Sequence, residues 1–123
     1  MRRNYNASGG KEIFLSFEDT KNDKILAFLR MRLTDEWSSP ILKNCAIIRE
    51  LHTYGQTVAI AQKIKNDQQH KSLGKQLMAE AEKIAKNEFN FKKVAVIAGI
   101  GVREYYKRLG YKLQDTYMIK KLT

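Results

Sequence analysis

Three groups of residues have types and spacings suited to chemistry. The first is Gln69-His70-Lys71-Ser72-Leu73-Gly74-Lys75, set where a polar stretch gives way to a long run with helical periodicity. A helix beginning there turns the free N–H groups of its first turn, and the positive end of its dipole, toward the preceding loop. That point suits an anion such as a pyrophosphate, and Lys71 and Lys75 add charge beside it. The same residue types also open ordinary helices. The second group is the phenol pair Tyr105-Tyr106. A tyrosine hydroxyl with a pKa of about 10 stays protonated at neutral pH and can act as a proton donor, although tyrosines on a short helix also serve as core aromatics. The third is Glu50 and His52, which alternation puts on one face of a strand, where they could orient a water or an amine, or act as a base. The plainer alternative is an ion pair between Glu50 and a nearby arginine, with His52 a satisfied sheet residue.

The elements that must carry these groups follow from periodicity. Residues 12 to 18 and 25 to 33 are aromatic and aliphatic runs separated by Asp19-Thr20-Lys21-Asn22-Asp23, and predict an antiparallel hairpin. A third strand is expected from Cys45 to Tyr54, with Ile47, Arg49, Leu51 and Thr53 on one face and Ala46, Ile48, Glu50, His52 and Tyr54 on the other. Val58 to Ile64 reads as an irregular extended piece. From Ser72 to about Asn87, Leu73, Leu77, Met78, Ala81, Ile84 and Ala85 recur at helical spacing opposite a charged face, which predicts an amphipathic helix packed on a sheet. Lys92 to Ala98 holds the continuous apolar run of a strand buried on both faces, reached by a parallel crossover. A short helix, Arg103 to Leu109, ends at Gly110, and Tyr111 to Leu113 and Tyr117 to Leu122 form closing strands. The sum is one α/β domain over residues 1–123, with a mixed, mostly antiparallel sheet and flanking helices.

Composition narrows the setting. Lys and Arg number 23 against 13 acidic residues, a net charge of +10, which calls for a polyanionic partner or an anionic ligand. Cys45 is the one cysteine and sits in an apolar run, so one chain forms no disulfide and no cysteine metal cage. His52 and His70 give at most two further ligands, so no metal is expected. The first residues lack the apolar core of a secretory signal and no apolar segment nears the ~20 residues that cross a bilayer, so a soluble, cytoplasmic protein is expected.

Longer strings point to a family. Gln69 to Gly74 resembles the acetyl-CoA motif of the GNAT acyltransferase superfamily: Gln or Arg, two residues, Gly, one residue, then Gly or Ala. Ser72 stands where that motif has Gly. If the position needs a positive φ, serine costs on the order of 1 kcal/mol there, though its hydroxyl could itself reach a phosphate oxygen. Tyr105-Tyr106-Lys107-Arg108-Leu109-Gly110-Tyr111 looks like the GNAT segment whose tyrosine, here Tyr106, protonates the departing CoA thiolate. Arg49-Glu50-Leu51-His52-Thr53-Tyr54-Gly55, Gly99-Ile100-Gly101-Val102-Arg103-Glu104-Tyr105-Tyr106 and Tyr117-Met118-Ile119 are similar to the C-terminal domain of the Elongator catalytic subunit.

The resemblance implies a GNAT fold that binds acetyl-CoA through Leu51, Thr53, Gln69, His70, Lys71, Ser72, Leu73, Gly74, Lys75 and Tyr106, with Tyr106, Tyr105, Glu50 and His52 as catalytic candidates. It also implies tRNA as partner, its wobble uridine being modified together with a radical S-adenosylmethionine domain. The iron–sulfur cluster of such a domain takes three cysteines, which a chain with Cys45 alone does not supply. Arg103 is a candidate contact for phosphate or tRNA, or a cap on the glycine turn. Two other functions stay open on sequence: a free-standing lysine or small-amine N-acetyltransferase, and a non-catalytic basic tRNA-binding module.

Overall fold

In the computed structural model, which describes residues 1–7, 10–34, 40–53 and 73–122, alternation governs the first half of the chain. In β2 (Gly10–Asp19) and β3 (Lys24–Thr34), Ile13, Leu15, Ala27, Leu29, Met31 and Leu33 recur at every second position, so one face of the pair is apolar and buried. The turn between them is closed by the Asp19 carboxylate, which accepts from the Asn22 backbone N–H at 3.3 Å and from Asn22 Nδ2 at 2.7 Å. Asp23 follows with φ 55°, a left-handed conformation that aspartate tolerates. Ahead of this hairpin lies a strand that periodicity did not predict, β1 (Arg2–Ala7), antiparallel to β2. Its Arg-Arg-Asn-Tyr-Asn run has no apolar face because it forms the sheet edge, with Arg2 to Asn6 exposed.

A short 3-10 turn at Pro40–Leu42 leads into β4 (Cys45–Thr53), antiparallel to β3. Tyr54 and the Val58 to Ile64 segment lie outside the described residues. The predicted helix is α1 (Leu73–Asn87), which buries Leu73, Gly74, Leu77, Met78, Ala81, Ile84 and Ala85 against the apolar sheet face. Each large side chain taken from water there stabilises the fold by roughly 1.5–3 kcal/mol. The chain returns as β5 (Lys93–Ile97), parallel to β4 as the crossover required, with Val94, Ala95 and Val96 buried. A 3-10 turn (Ile100–Val102), α2 (Arg103–Arg108), β6 (Lys112–Gln114) and β7 (Tyr117–Lys121) complete the described chain.

Among the described residues seven strands form one sheet, in the order β1-β2-β3-β4-β5-β7-β6. It is mixed and mostly antiparallel, the β4–β5 pair being its parallel contact. The face away from α1 carries a smaller cluster of Leu42, Cys45, Ala95 and Ile119. No described helix is long and apolar enough to cross a membrane.

Candidate functional site

One extra residue shapes the site. Arg30 pairs with Glu50 but Met31 pairs with Ile48, so Arg49 is a β-bulge on β4. The bulge resets the alternation of the strand. Leu51, opposite Leu29, joins Ala46 and Ile48 on the α1 face, while Glu50 and His52 turn to the other face. This corrects the strict alternation expected from sequence, which grouped Glu50 and His52 with Ala46 and Ile48; period-2 counting assumes a regular ladder. Arg49 itself is anchored: its Nη1 lies 3.7 Å from Glu12 Oε1, and Arg32 Nη1 lies 3.5 Å from Glu12 Oε2.

The same place is where the sheet opens. Parallel pairing of β4 with β5 runs from Cys45↔Lys93 to Ile48↔Val96 and ends there, one residue before the bulge. A bulge bends its strand and increases its twist, so beyond it β4 departs from β5. The gap is a cleft of about 270 Å³ lined by Ile48, Arg49, Glu50, Leu51, His52, Val96, Ile97, Val102 and Tyr106. Of these lining residues, sequence reasoning missed Ile48, Arg49, Val96, Ile97 and Val102. The signal of Ile48, Val96 and Ile97, apolar residues toward the C-terminal ends of two adjacent parallel strands, is legible only once the strands are known to separate.

One phenol, Tyr106, lines the cleft, and a second, Tyr105, packs behind it. Tyr106 is 6% exposed and its ring meets that of Tyr105 edge-on, with centroids 5.1 Å apart at 82°. α2 is held there by its C-terminus, where Gly110 N–H donates to Lys107 O at 3.0 Å and Tyr111 N–H to Tyr106 O at 3.1 Å. This is a Schellman ending, with Gly110 at φ 97° as the sequence predicted and Tyr111 packed on Tyr106 at 6.0 Å. Tyr111 Oη donates to Glu82 Oε2 at 2.8 Å, and Lys120 Nζ donates to Glu82 Oε1 at 2.9 Å. Burial pushes the Tyr106 phenol up to about 12, with the Tyr105 phenolate charge adding to it. Burial also raises Tyr105, and raises Tyr111 together with the charge and hydrogen bond of Glu82. All three are therefore firmly protonated at neutral pH.

The start of α1 reaches the same place. A Cβ built on Gly74 would stand 2.7 Å from Tyr105 Oη and 3.7 Å from Leu51 Cδ2, so this glycine permits contact between α1, α2 and β4. Leu73 is buried at the start of the helix and Lys75 is exposed on it. Gln69, His70, Lys71 and Ser72 lie outside the described residues. Thr53 is exposed at the end of β4 and does not line the cleft, whereas Leu51 does. Glu50 makes the surface contact with Arg30 weighed from the sequence, at 3.9 Å, and His52 tilts against the Phe28 ring at 5.8 Å; both line the cleft. Arg103 opens α2, with its Nε buried and without a hydrogen-bond partner among the described residues.

A mixed sheet parted between two parallel strands, with a helix start and a buried tyrosine at the parting, defines an acyltransferase-type α/β fold. The chain belongs to the GNAT acetyltransferase family, whose model matches residues 2–111. Over 124 residues it is 50% identical both to the tRNA uridine(34) acetyltransferase of Methanocaldococcus infernus and to Elongator complex protein 3 of Dictyostelium discoideum. Those alignments cover 99% of this chain but 23% and 22% of the relatives, so the chain spans under a quarter of the curated relatives it matches. The solved structure of an N-terminally deleted Methanocaldococcus infernus Elp3 is similar with a TM-score of 0.82 and 46% identity, covering 99% of this chain and 29% of that one. At the level of fold alone, the PaiA N-acetyltransferase of Thermoplasma acidophilum, solved in complex with coenzyme A, is similar with a TM-score of 0.60 and 24% identity, over 89% of this chain and 60% of that one. The resemblance read from short strings thus extends along nearly the whole chain.

Proposed function

We propose that this chain is the acetyl-CoA-binding domain of an Elongator-type enzyme that modifies the wobble uridine of tRNA, and that it hydrolyses or transfers the acetyl group in a tRNA-dependent way. The observation that carries this reading is the β4/β5 cleft with a buried, protonated Tyr106 in its wall.

The residues present fit a thioester-bearing arm. Ile48, Leu51, Val96, Ile97 and Val102 give the cleft apolar walls, and the strands that flank it have parted, leaving room for a slender chain between them. Leu51 and Thr53 of β4, with Leu73, Gly74 and Lys75 at the start of α1, would hold the cofactor, and Gln69, His70, Lys71 and Ser72 would complete the anion site that precedes the helix. When bound, acetyl-CoA supplies an activated acetyl group. Tyr106 holds a proton at Oη beside the cleft, and its raised pKa keeps the phenol neutral, a hydrogen-bond donor that would stabilise the departing thiolate. Tyr105 supports the Tyr106 ring edge-on and fixes its position. Glu50 and His52, on the wall that faces away from α1, orient the attacking water or amine. The radical S-adenosylmethionine step falls to a part of the enzyme other than this chain, and the setting is the cytoplasm.

Calorimetry with acetyl-CoA, followed by thiol release with and without tRNA, tests the reading. Binding with thiol release that rises when tRNA is added supports it. Acetylation of a lysine peptide without tRNA would replace it with the amine-transferase reading, and absence of any heat with acetyl-CoA would leave a basic RNA-binding module.

A further inference from the structure

A second feature lies at the opposite end of β5. Two hollows, of about 770 Å³ and about 410 Å³, adjoin there and share Lys93 and Lys121. The larger adds Lys86 and Lys92 with Asn87, Asn90 and Phe91, and the smaller adds Lys112 and Lys120 with Gln114. No aspartate or glutamate lines either hollow among the described residues. Lys120 Nζ meets the Glu82 carboxylate at 2.9 Å, on the α1 side.

The register makes this concentration costly to the fold. Lys93 and Lys121 are direct cross-strand partners in the antiparallel β5–β7 pair, so their side chains leave the same face side by side. Like charges at directly opposed positions destabilise a sheet pair, whereas one acidic partner would have stabilised it. Cys45 pairs with Lys93, which puts the two lysines on the face away from α1, the face that also carries Glu50 and His52. From Lys93 to Ile97, at the cleft, is four residues of strand, or about 13 Å.

We infer that the Lys93–Lys121 pair, with Lys92 and Lys112 beside it, is a docking site for the phosphate backbone of RNA. The backbone rests across the β5–β7–β6 end of the sheet while a nucleotide further along the strand reaches the Glu50–His52 wall. The lysines neutralise phosphates, and the anion in turn relieves the repulsion built into the strand pair. That the polyanion is RNA rests on the tRNA reading proposed above; that the site takes a phosphodiester backbone rests on the lysines.

The test is the salt dependence of binding. Anisotropy of a labelled anticodon stem-loop is measured with this chain between about 50 and about 300 mM KCl. In the Lys93→Gln/Lys121→Gln variant the slope of log affinity against log salt should shrink by about 1.4–1.8, and binding at low salt should weaken about tenfold or more. Lys21→Gln/Lys24→Gln, at the β2–β3 turn, should leave both unchanged, and acetyl-CoA affinity should be the same in all variants. Lys121→Glu supplies a second reading that does not depend on lost charge alone: it should raise the melting temperature by pairing with Lys93 while weakening RNA binding, a divergence no purely structural role produces. An unchanged slope in the glutamine variant overturns the inference, and so does equal affinity and salt slope for a polyglutamate peptide, which would make the site one for acidic protein. If acetyl-CoA fails to bind but the slope changes as expected, the docking site stands and the acetyltransferase reading falls.

Discussion

Gly74→Ala offers a sharp probe of how α1, α2 and β4 meet. The new methyl would lie 2.7 Å from Tyr105 Oη, well inside contact distance, while the next neighbours, Leu51 Cδ2 at 3.7 Å and Tyr105 Cζ at 3.8 Å, are at ordinary separation. The conflict is therefore with one hydroxyl. Overpacking of this kind costs about 1–3 kcal/mol, set against roughly 1 kcal/mol gained by replacing glycine with alanine inside a helix. Gly74→Ala alone should accordingly destabilise by about 0–2 kcal/mol. In a Tyr105→Phe background the obstructing atom is gone, and the same change should stabilise by about 0.5–1 kcal/mol. The sign reverses, giving a coupling of about 1–3 kcal/mol in a double-mutant cycle. Thermal unfolding of the four chains reads this directly, at about 3–5 °C per kcal/mol for a chain of this length. Additive effects, with alanine equally harmful in both backgrounds, would refute the contact and return Gly74 to a role in the phosphate loop alone.

Further predictions follow from the tyrosines and the bulge. Tyr106→Phe should leave acetyl-CoA affinity unchanged in calorimetry and slow thiol release by about 10²-fold or more. A phenol raised from 10.0 to about 12 keeps in the folded chain a proton that the unfolded chain gives up. Its stability contribution is thus whole below about pH 10 and is lost as pH climbs toward about 12; melting temperatures against pH should show that decline, and Tyr106→Phe should lessen it. Tyr111→Phe removes the hydrogen bond to Glu82 and should cost about 1.5–3 kcal/mol in denaturant unfolding, Lys120 remaining as partner of the carboxylate. Gly110→Ala forces φ 97° on a residue with a side chain, 3.3 Å from Lys120 Cε, and should cost about 1–2 kcal/mol by the same measure.

How far the sequence went depended on which regularities the chain obeys. The α1 helix, the buried β5 strand and the Gly110 ending were all legible because 3.6-residue periodicity, an unbroken apolar run and a glycine after a basic turn are local signals. β1 was not, since an edge strand of Arg, Asn and Tyr has no apolar face to announce it. Tyr106 could be singled out from its segment, but its burial by Tyr105 and Tyr111 is tertiary. The position of Glu50 and His52 was misread for a physical reason: the bulge at Arg49 is a feature of the β3–β4 register, set by pairing with a strand about twenty residues earlier and not by the β4 string itself. The cleft inherits that dependence, because nothing in the β4 or β5 strings alone says where their pairing stops.

On either side of its supernumerary residue, the single strand β4 holds two different jobs. Up to Ile48 it is bricked into the interior, where a change of side chain disturbs the helix packed above it. Past Arg49 its polar side chains are handed to the outside, so the chemistry of that wall can be retuned without touching the packing behind it. Deleting Arg49 would leave that division in place, since Glu50 would then follow Ile48 directly and plain alternation would keep Glu50 outward and Leu51 inward; what the deletion removes is the bend. A shortened chain of that kind should fold, with β4 straighter beside β5 and the cleft narrowed, and weaker acetyl-CoA binding in calorimetry would read the change.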